Sequence, residues 1–183
     1  DLLDRIPPQV MAYGLQTALS VTVSSEEALD AAIANGADLI YLQTTALRRQ
    51  TPILPKQYMS LAERCHAEAV RIYWTCSPFQ NEVQMKETRA LMSAAQEAGF
   101  DGVLVGNLGL LQVAKEMGWQ NIAVDYPMNI FNDVTLQALS EQEICRATLS
   151  PELQLEQSKD FSYLGNMPLE LIVHGNFPLM ISE

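Results

Sequence analysis

Apolar and polar positions along this chain repeat as short strand-like stretches followed by longer helix-like ones. Seven short stretches rich in β-branched and aromatic residues predict strands. They lie at residues 18–23, 38–42, 70–75, 102–105, 121–124, 146–149 and 170–173. Amphipathic stretches between them predict helices at residues 26–35, 55–69, 82–98, 110–117, 133–142 and 151–159. The spacing from strand to strand, about 20–30 residues, is the length of a strand–helix unit with short loops.

Capping residues support several of these helix boundaries. Ser24 and Glu27 predict a capping box for the first helix, and Pro55 predicts the first residue of the second. Ser150 and Pro151 predict the start of the last helix. Three helices end at a glycine that is followed by an apolar strand, which predicts left-handed caps at Gly36, Gly99 and Gly118.

The predicted strands are apolar on both faces, which is typical of a parallel sheet covered by helices. Two architectures fit this pattern: a doubly wound open sheet and a (β/α)8 barrel. The barrel typically has about 250 residues and eight units, whereas this chain has 183 residues and seven predicted strands. We therefore predict an α/β, TIM-barrel-like (β/α) repeat, incomplete, with about seven parallel strands. Residues 1–17 are predicted to be a lead-in, and residues 18–183 a barrel-like domain truncated at its C-terminus.

Composition narrows the classes of function. The chain is 48% hydrophobic and carries a net charge of −11, from 22 acidic and 11 basic residues. This charge argues against direct nucleic-acid binding, which depends on basic residues that neutralise phosphates. Three widely spaced cysteines and two histidines form no disulfide framework or metal-ligand spacing, so we expect no metal and a reduced, cytoplasmic setting. No apolar run approaches the roughly 20 residues of a membrane span.

In a parallel α/β fold, ligands bind beyond the carboxyl ends of the strands. Polar residues that follow the predicted strands are therefore the candidates, and we predict a substrate-binding set of Gln43, Thr75, Asn107 and Asn129. Ser150, His174 and Asp125 have the residue types of a catalytic triad, and Cys76 with His174 those of a Cys–His pair. No GxSxG turn is present to decide between these arrangements.

Five stretches, in this order along the chain, together carry a resemblance: EEALDAAIANGADLIYL, GFDGVLVGNLGLL, NIAVDYPMNIFN, ATLSPEL and ELIVHGNFPLMISE. They resemble the collagenase-like peptidases of family U32, over residues 19–183. The resemblance implies a TIM-barrel-like fold and a hydrolase that cleaves peptide bonds by an unidentified mechanism. The candidate catalytic residues under this interpretation are Asp125, Glu152, Glu170 and His174.

The resemblance also implies a second interpretation. Some members of the family take part in hydroxylating RNA bases or quinone precursors, and some of these carry an iron–sulfur cluster on cysteines after a Glu-x-apolar-x-His-Gly signature. Glu170, His174 and Gly175 match that signature, whereas Pro178 stands where the first cysteine is expected. The second cysteine would lie beyond Glu183. We therefore expect no cofactor in this stretch, and a cluster only in a full-length protein.

A third interpretation is a noncatalytic barrel domain of a larger protein. Under all three, we expect the chain to be a fragment that is inactive by itself. The expected partners are a peptide or protein substrate, the remaining domains of the parent protein, and a second copy of the chain bound through an open sheet edge.

Overall fold

The computed structural model describes residues 17–44, 52–159, 161 and 167–177. Residues 1–16 of the predicted lead-in, and Pro178, lie outside the described residues. Seven strands are present in the described residues: β1 Ser20–Val23, β2 Leu39–Gln43, β3 Arg71–Thr75, β4 Gly102–Val105, β5 Ile122–Val124, β6 Arg146–Thr148 and β7 Leu169–Glu170. They alternate with six helices: α1 Glu26–Ala34, α2 Pro55–Ala67, α3 Glu82–Glu97, α4 Leu108–Glu116, α5 Asp133–Ser140 and α6 Leu155–Lys159.

The seven strands form one sheet in chain order, from β1 to β7, and every neighbouring pair is parallel. A doubly wound sheet would require the strand order to reverse at a switch point. The observed order has no reversal, so the doubly wound alternative is wrong. The prediction of an incomplete, TIM-barrel-like repeat with seven parallel strands is confirmed.

The sheet is curved strongly enough to bring its two ends together. In a flat sheet, β1 and β7 would lie roughly 29 Å apart, because neighbouring strands are about 4.8 Å apart. Here the hydroxyl of Ser20 in β1 donates a hydrogen bond of 2.6 Å to Glu170 in β7. The curvature therefore gives the sheet an inner face on which residues distant in sequence meet.

The side chains of each strand point alternately to the two faces of the sheet, and they form a separate apolar layer on each face. The outward-facing side chains, such as Ile40, Leu42 and Trp74, pack under the helices in the main core. The inward-facing ones form a smaller cluster of Leu39, Tyr41, Tyr73, Leu104 and Ala123. Gly102 is required beside this cluster, because a Cβ there would lie 2.6 Å from the ring of Tyr73. The part of the inner face at this cluster is thus filled by side chains.

Most predicted helix boundaries agree with the structure, and two do not. Helix α1 is capped by Ser25, whose hydroxyl accepts from the Ala28 N–H at 3.2 Å, so the capping box predicted on Ser24 is wrong. Helix α6 begins at Leu155 and not at Pro151. The chain first makes a turn there, because the carbonyl of Ser150 accepts from the N–H of Leu153. The glycines predicted as left-handed caps all have positive φ, at Gly36, Gly99 and Gly118.

The last strand is shorter than the sequence predicts. Strand β7 ends at Glu170, and Val173 is 86% exposed, although residues 170–173 were expected to form a strand. The segment after Glu170 makes no further ladder with β6, so its apolar side chains are not enclosed. Across the described residues, no helix is both long enough and apolar enough to cross a membrane.

Candidate active site

A single carboxylate organises the inner face of the sheet. Glu170 is directly opposite Thr148 in the β6–β7 ladder, and the Thr148 hydroxyl donates to it at 3.2 Å. The Tyr41 hydroxyl donates to both carboxylate oxygens, at 2.9 and 2.8 Å. Arg146 forms an ion pair with it at 2.8 Å, and the Ser20 hydroxyl completes the set. Glu170 therefore joins β1, β2, β6 and β7 through one polar network.

This network is shielded from solvent, which strengthens its electrostatic interactions. The side chains of Arg146 and Glu170 are only 9% and 14% exposed. Burial, followed by the negative charge of Glu170, raises the pKa of Tyr41 far above its ordinary value. The phenol is therefore neutral at neutral pH, and it acts as a hydrogen-bond donor to Glu170.

Asp125 is the second acidic residue of this face. It follows β5 directly, and β5 lies beside β6, so Asp125 is one strand removed from the Thr148–Glu170 pair. Burial, followed by the charge of Glu170, raises the pKa of Asp125 to about 6, although a hydrogen bond of 2.7 Å from the N–H of Tyr126 opposes the shift. A carboxyl group with this pKa exchanges its proton near neutral pH.

The segment after β7 lies against the loop after β5. The ring of Phe177 contacts the ring of Tyr126 edge to face, with centroids 5.3 Å apart. Tyr126 is adjacent to Asp125, and Phe177 is three residues beyond His174. The contact therefore holds the His174 segment at the carboxyl end of the sheet, where Asp125 also lies.

The sequence of the chain matches a known family. A sequence model of peptidase family U32 matches residues 24–183. The chain belongs to peptidase family U32. Uncharacterized protease MJ0090 of Methanocaldococcus jannaschii is 26% identical to it over 162 residues, which is 84% of this chain and 39% of that protein. The U32 chain thus spans about two fifths of the length of its curated relative.

Solved structures agree with this fold. The U32 peptidase Mk0906 superposes with a TM-score of 0.68 at 14% identity, covering 90% of this chain and 72% of that one. Thiamine phosphate pyrophosphorylase from Pyrococcus furiosus superposes with a TM-score of 0.58 at 11% identity, over 85% and 74% of the two chains. At such low identity these likenesses concern the barrel-like fold alone.

The structure brings together two of the four catalytic candidates of the U32 chain, Asp125 and Glu170. Glu152 is exposed in the turn after β6, and His174 is exposed after β7. Within the described part of the chain, no hydrogen bond or ion pair joins either of them to Asp125 or Glu170. The catalytic roles of all four residues stay predictions.

The predicted substrate-binding residues occupy different environments. Gln43 ends β2, half-buried and on the same face as Tyr41. Thr75 is buried and donates to the Leu104 carbonyl at 3.1 Å. Asn107 caps α4, accepting from the Leu110 N–H at 2.7 Å. Asn129 is exposed in the left-handed conformation that ends the 3-10 turn Tyr126–Met128. Gln43 therefore lies on the inner face, and its side chain makes no hydrogen bond to another of the described residues.

Sequence reasoning missed Arg146, Tyr41, Ser20 and Thr148. A signal for Arg146 was present: a charged residue begins the otherwise buried strand β6 and therefore requires an acidic partner. The Cys76 alternative is disfavoured by its surroundings, because burial raises the pKa of that thiol to about 12. A thiol with this pKa is almost wholly protonated at neutral pH and is a poor nucleophile.

The cysteines of the described residues do not fit an iron–sulfur cluster. Cys65 and Cys76 lie in the main core, whereas Cys145 packs against the inner cluster and contacts the Tyr73 hydroxyl at 3.8 Å. In residues 17–44, 52–159, 161 and 167–177, no group of three His, Cys, Asp or Glu side chains could hold a metal ion. A cluster on residues beyond Glu183 stays a prediction for the full-length protein.

Proposed function

We propose that the protein containing this chain hydrolyses peptide bonds, with Asp125 as the group that transfers the proton. The observation that carries the proposal is the placement of Asp125 at the carboxyl end of β5, where burial and the charge of Glu170 raise its pKa to about 6. Membership of peptidase family U32 supports the reaction class.

The chemistry requires one group that accepts and then returns a proton. Ionised Asp125 takes a proton from a water molecule as the water oxygen bonds to the peptide carbonyl carbon. The same proton passes to the amide nitrogen as the carbon–nitrogen bond breaks, which leaves a carboxylic acid and an amine. A pKa close to the working pH suits both steps.

Glu170 acts through Asp125 and not on the substrate. Its two oxygens accept hydrogen bonds from Ser20, Tyr41, Arg146 and Thr148, so they have little capacity left for a water molecule. Its negative charge makes the proton of Asp125 harder to remove. Glu170 is therefore a positioning residue in this proposal, while His174 and Glu152 remain candidates for substrate contacts at the rim.

Two earlier interpretations are not favoured. The hydroxylation interpretation has less support than the peptidase, because the family model is that of a peptidase family and the curated relative is described as a protease. The interpretation as a noncatalytic domain has less support for the same reason. It predicts that no substitution in this chain affects turnover by the full-length protein. Residence in the cytoplasm remains an expectation from the reduced cysteines.

The test uses the full-length protein and a mixture of fluorogenic peptides. We expect Asp125→Asn to lower kcat/KM by about 10²- to 10⁴-fold. Wild-type kcat/KM should fall as the pH drops below about 6, because Asp125 then becomes protonated. Glu63→Gln on the exposed surface of α2 is the matched control for loss of one negative charge. Equal activity of Asp125→Asn and wild type would remove Asp125 from the reaction.

A further inference from the structure

Large apolar side chains that are exposed in the described residues are concentrated on one face of the molecule. All of them except Leu19 and Met59 follow a strand or begin a helix. We define six of these as the apolar rim: Leu54, Phe79, Val83, Leu108, Val134 and Leu155. Because every strand is parallel, these six residues surround the carboxyl ends of the strands, where Asp125 also lies.

The opposite face of the sheet has a different character. The turns that lead from a helix into the next strand present exposed polar residues, such as Asn35, Asp38, Glu68 and Asn121. Exposed apolar side chains scattered over a surface need no explanation, but a concentration on one face marks an interaction site. The difference between the two faces therefore points to binding at the carboxyl ends of the strands.

Charge on the same face indicates what would bind there. The exposed acidic residues that follow strands or begin helices include Glu27, Glu82 and Glu152. Lys56 is a basic residue among the described residues at these positions. Arg48 and Arg49 lie in a segment outside the described residues. An acidic surface attracts cationic partners and repels phosphates and acidic peptides.

We propose that the apolar rim binds extended peptide segments that carry both apolar and cationic side chains, and that this selects the substrate. The inference rests on the proposed function. Apolar side chains of the peptide would contact the rim, cationic ones would face the acidic residues, and the peptide backbone would pass over Asp125. A polypeptide can supply all three: apolar side chains, cationic side chains and a backbone amide that reaches Asp125.

The experiment measures binding and cleavage separately in the full-length protein. Binding uses the Asp125→Asn variant and fluorescein-labelled 12-residue peptides of three compositions: apolar–cationic, apolar–acidic and polar–cationic. We expect the apolar–cationic peptide to bind at least about tenfold more tightly than either other peptide. The triple variant Val83→Ser, Leu108→Ser, Val134→Ser should weaken that binding about tenfold and raise KM without lowering kcat.

The control variant is Met59→Ser, because Met59 is 58% exposed on α2 and lies outside the rim. Its peptide affinity should equal that of the parent protein. Cleavage of all three peptides with equal kcat/KM would overturn the inference and leave the proposed function intact. Binding of the apolar–cationic peptide without any turnover by wild type would overturn the proposed function and leave the inference intact.

Two further outcomes concern other occupants of the rim. If the triple serine variant lowers Tm but leaves KM unchanged, the rim is covered by another part of the protein, and the inference is wrong. If it abolishes a concentration-dependent dimer and leaves KM unchanged, a second copy is the occupant, and the inference is equally wrong. A raised KM with unchanged Tm and oligomeric state would support the peptide.

Discussion

Replacing Asp125 by asparagine preserves the shape of the side chain and removes its charge. The asparagine carbonyl can still accept the hydrogen bond that the N–H of Tyr126 donates to Asp125 Oδ1 at 2.7 Å. What changes is the cost of holding an ionised carboxylate in a buried position beside Glu170. We therefore expect Asp125→Asn to stabilise the folded protein at neutral pH.

The magnitude follows from the pKa of Asp125, which rises from 3.8 to about 6 on folding. One pKa unit corresponds to about 1.4 kcal/mol, so the upper limit is about 3 kcal/mol. The native protein binds the Asp125 proton more tightly than the unfolded chain does. The contribution of Asp125 to the free energy of unfolding of the wild type is therefore greatest below pH 4. It falls as the pH rises from about 4 to 6 and stays low above pH 6.

The assay is urea-induced unfolding of wild type and Asp125→Asn at intervals from pH 4 to pH 8. The stability difference in favour of the variant should be smallest at pH 4 and reach about 2–3 kcal/mol at pH 7.5. Glu63→Gln controls for the loss of one negative charge from a chain with net charge −11. A stability difference that does not vary with pH, or a variant less stable than wild type at pH 7.5, would refute the reasoning.

Three further changes probe the structure around this site. Arg146→Met should lower the free energy of unfolding by about 3 kcal/mol in urea, because it leaves the largely shielded carboxylate of Glu170 without its cation. Gly102→Ala should cost about 1–3 kcal/mol in the same assay, because its Cβ would lie 2.5 Å from a backbone carbonyl oxygen. Gly109→Ala, whose nearest contact is 3.2 Å, should change stability by less than about 1 kcal/mol. Cys76 should react with a thiol reagent at pH 7.5 only as fast as the protein unfolds, since its pKa is about 12; rapid native-state labelling would contradict its burial.

The order of elements could be predicted from the sequence because local signals determine it. Pro55 begins α2, and the glycines after α1, α3 and α4 adopt the left-handed conformation, as the capping pattern predicts. Asp125 was also within reach of sequence reasoning, since it directly follows an apolar strand and parallel strands end on one face. These inferences need only the period of the pattern and the chemistry of caps.

The network around Glu170 could not be predicted in this way. Its hydrogen bond to Ser20 spans 150 residues, and the meeting of these two side chains depends on how far the sheet curves. Neither strand spacing nor hydrophobic period determines that curvature. The end of β7 was mispredicted for a related reason: residues 171–173 are apolar enough for a strand, but the ladder with β6 stops at Glu170.

Two acids, Asp125 and Glu170, are partly buried on the inner face, and among the described residues the buried cation Arg146 pairs with only one of them. Arg146 contacts Glu170 and leaves Asp125 with a single hydrogen bond from the N–H of Tyr126. For Asp125 the cost of burial therefore exceeds the benefit of its hydrogen bond, and its pKa rises to about 6. The position of Arg146 at the first residue of β6, rather than on β5, thus places the ion pair on Glu170 and leaves Asp125 with a raised pKa, which is the property that its proposed role in proton transfer requires.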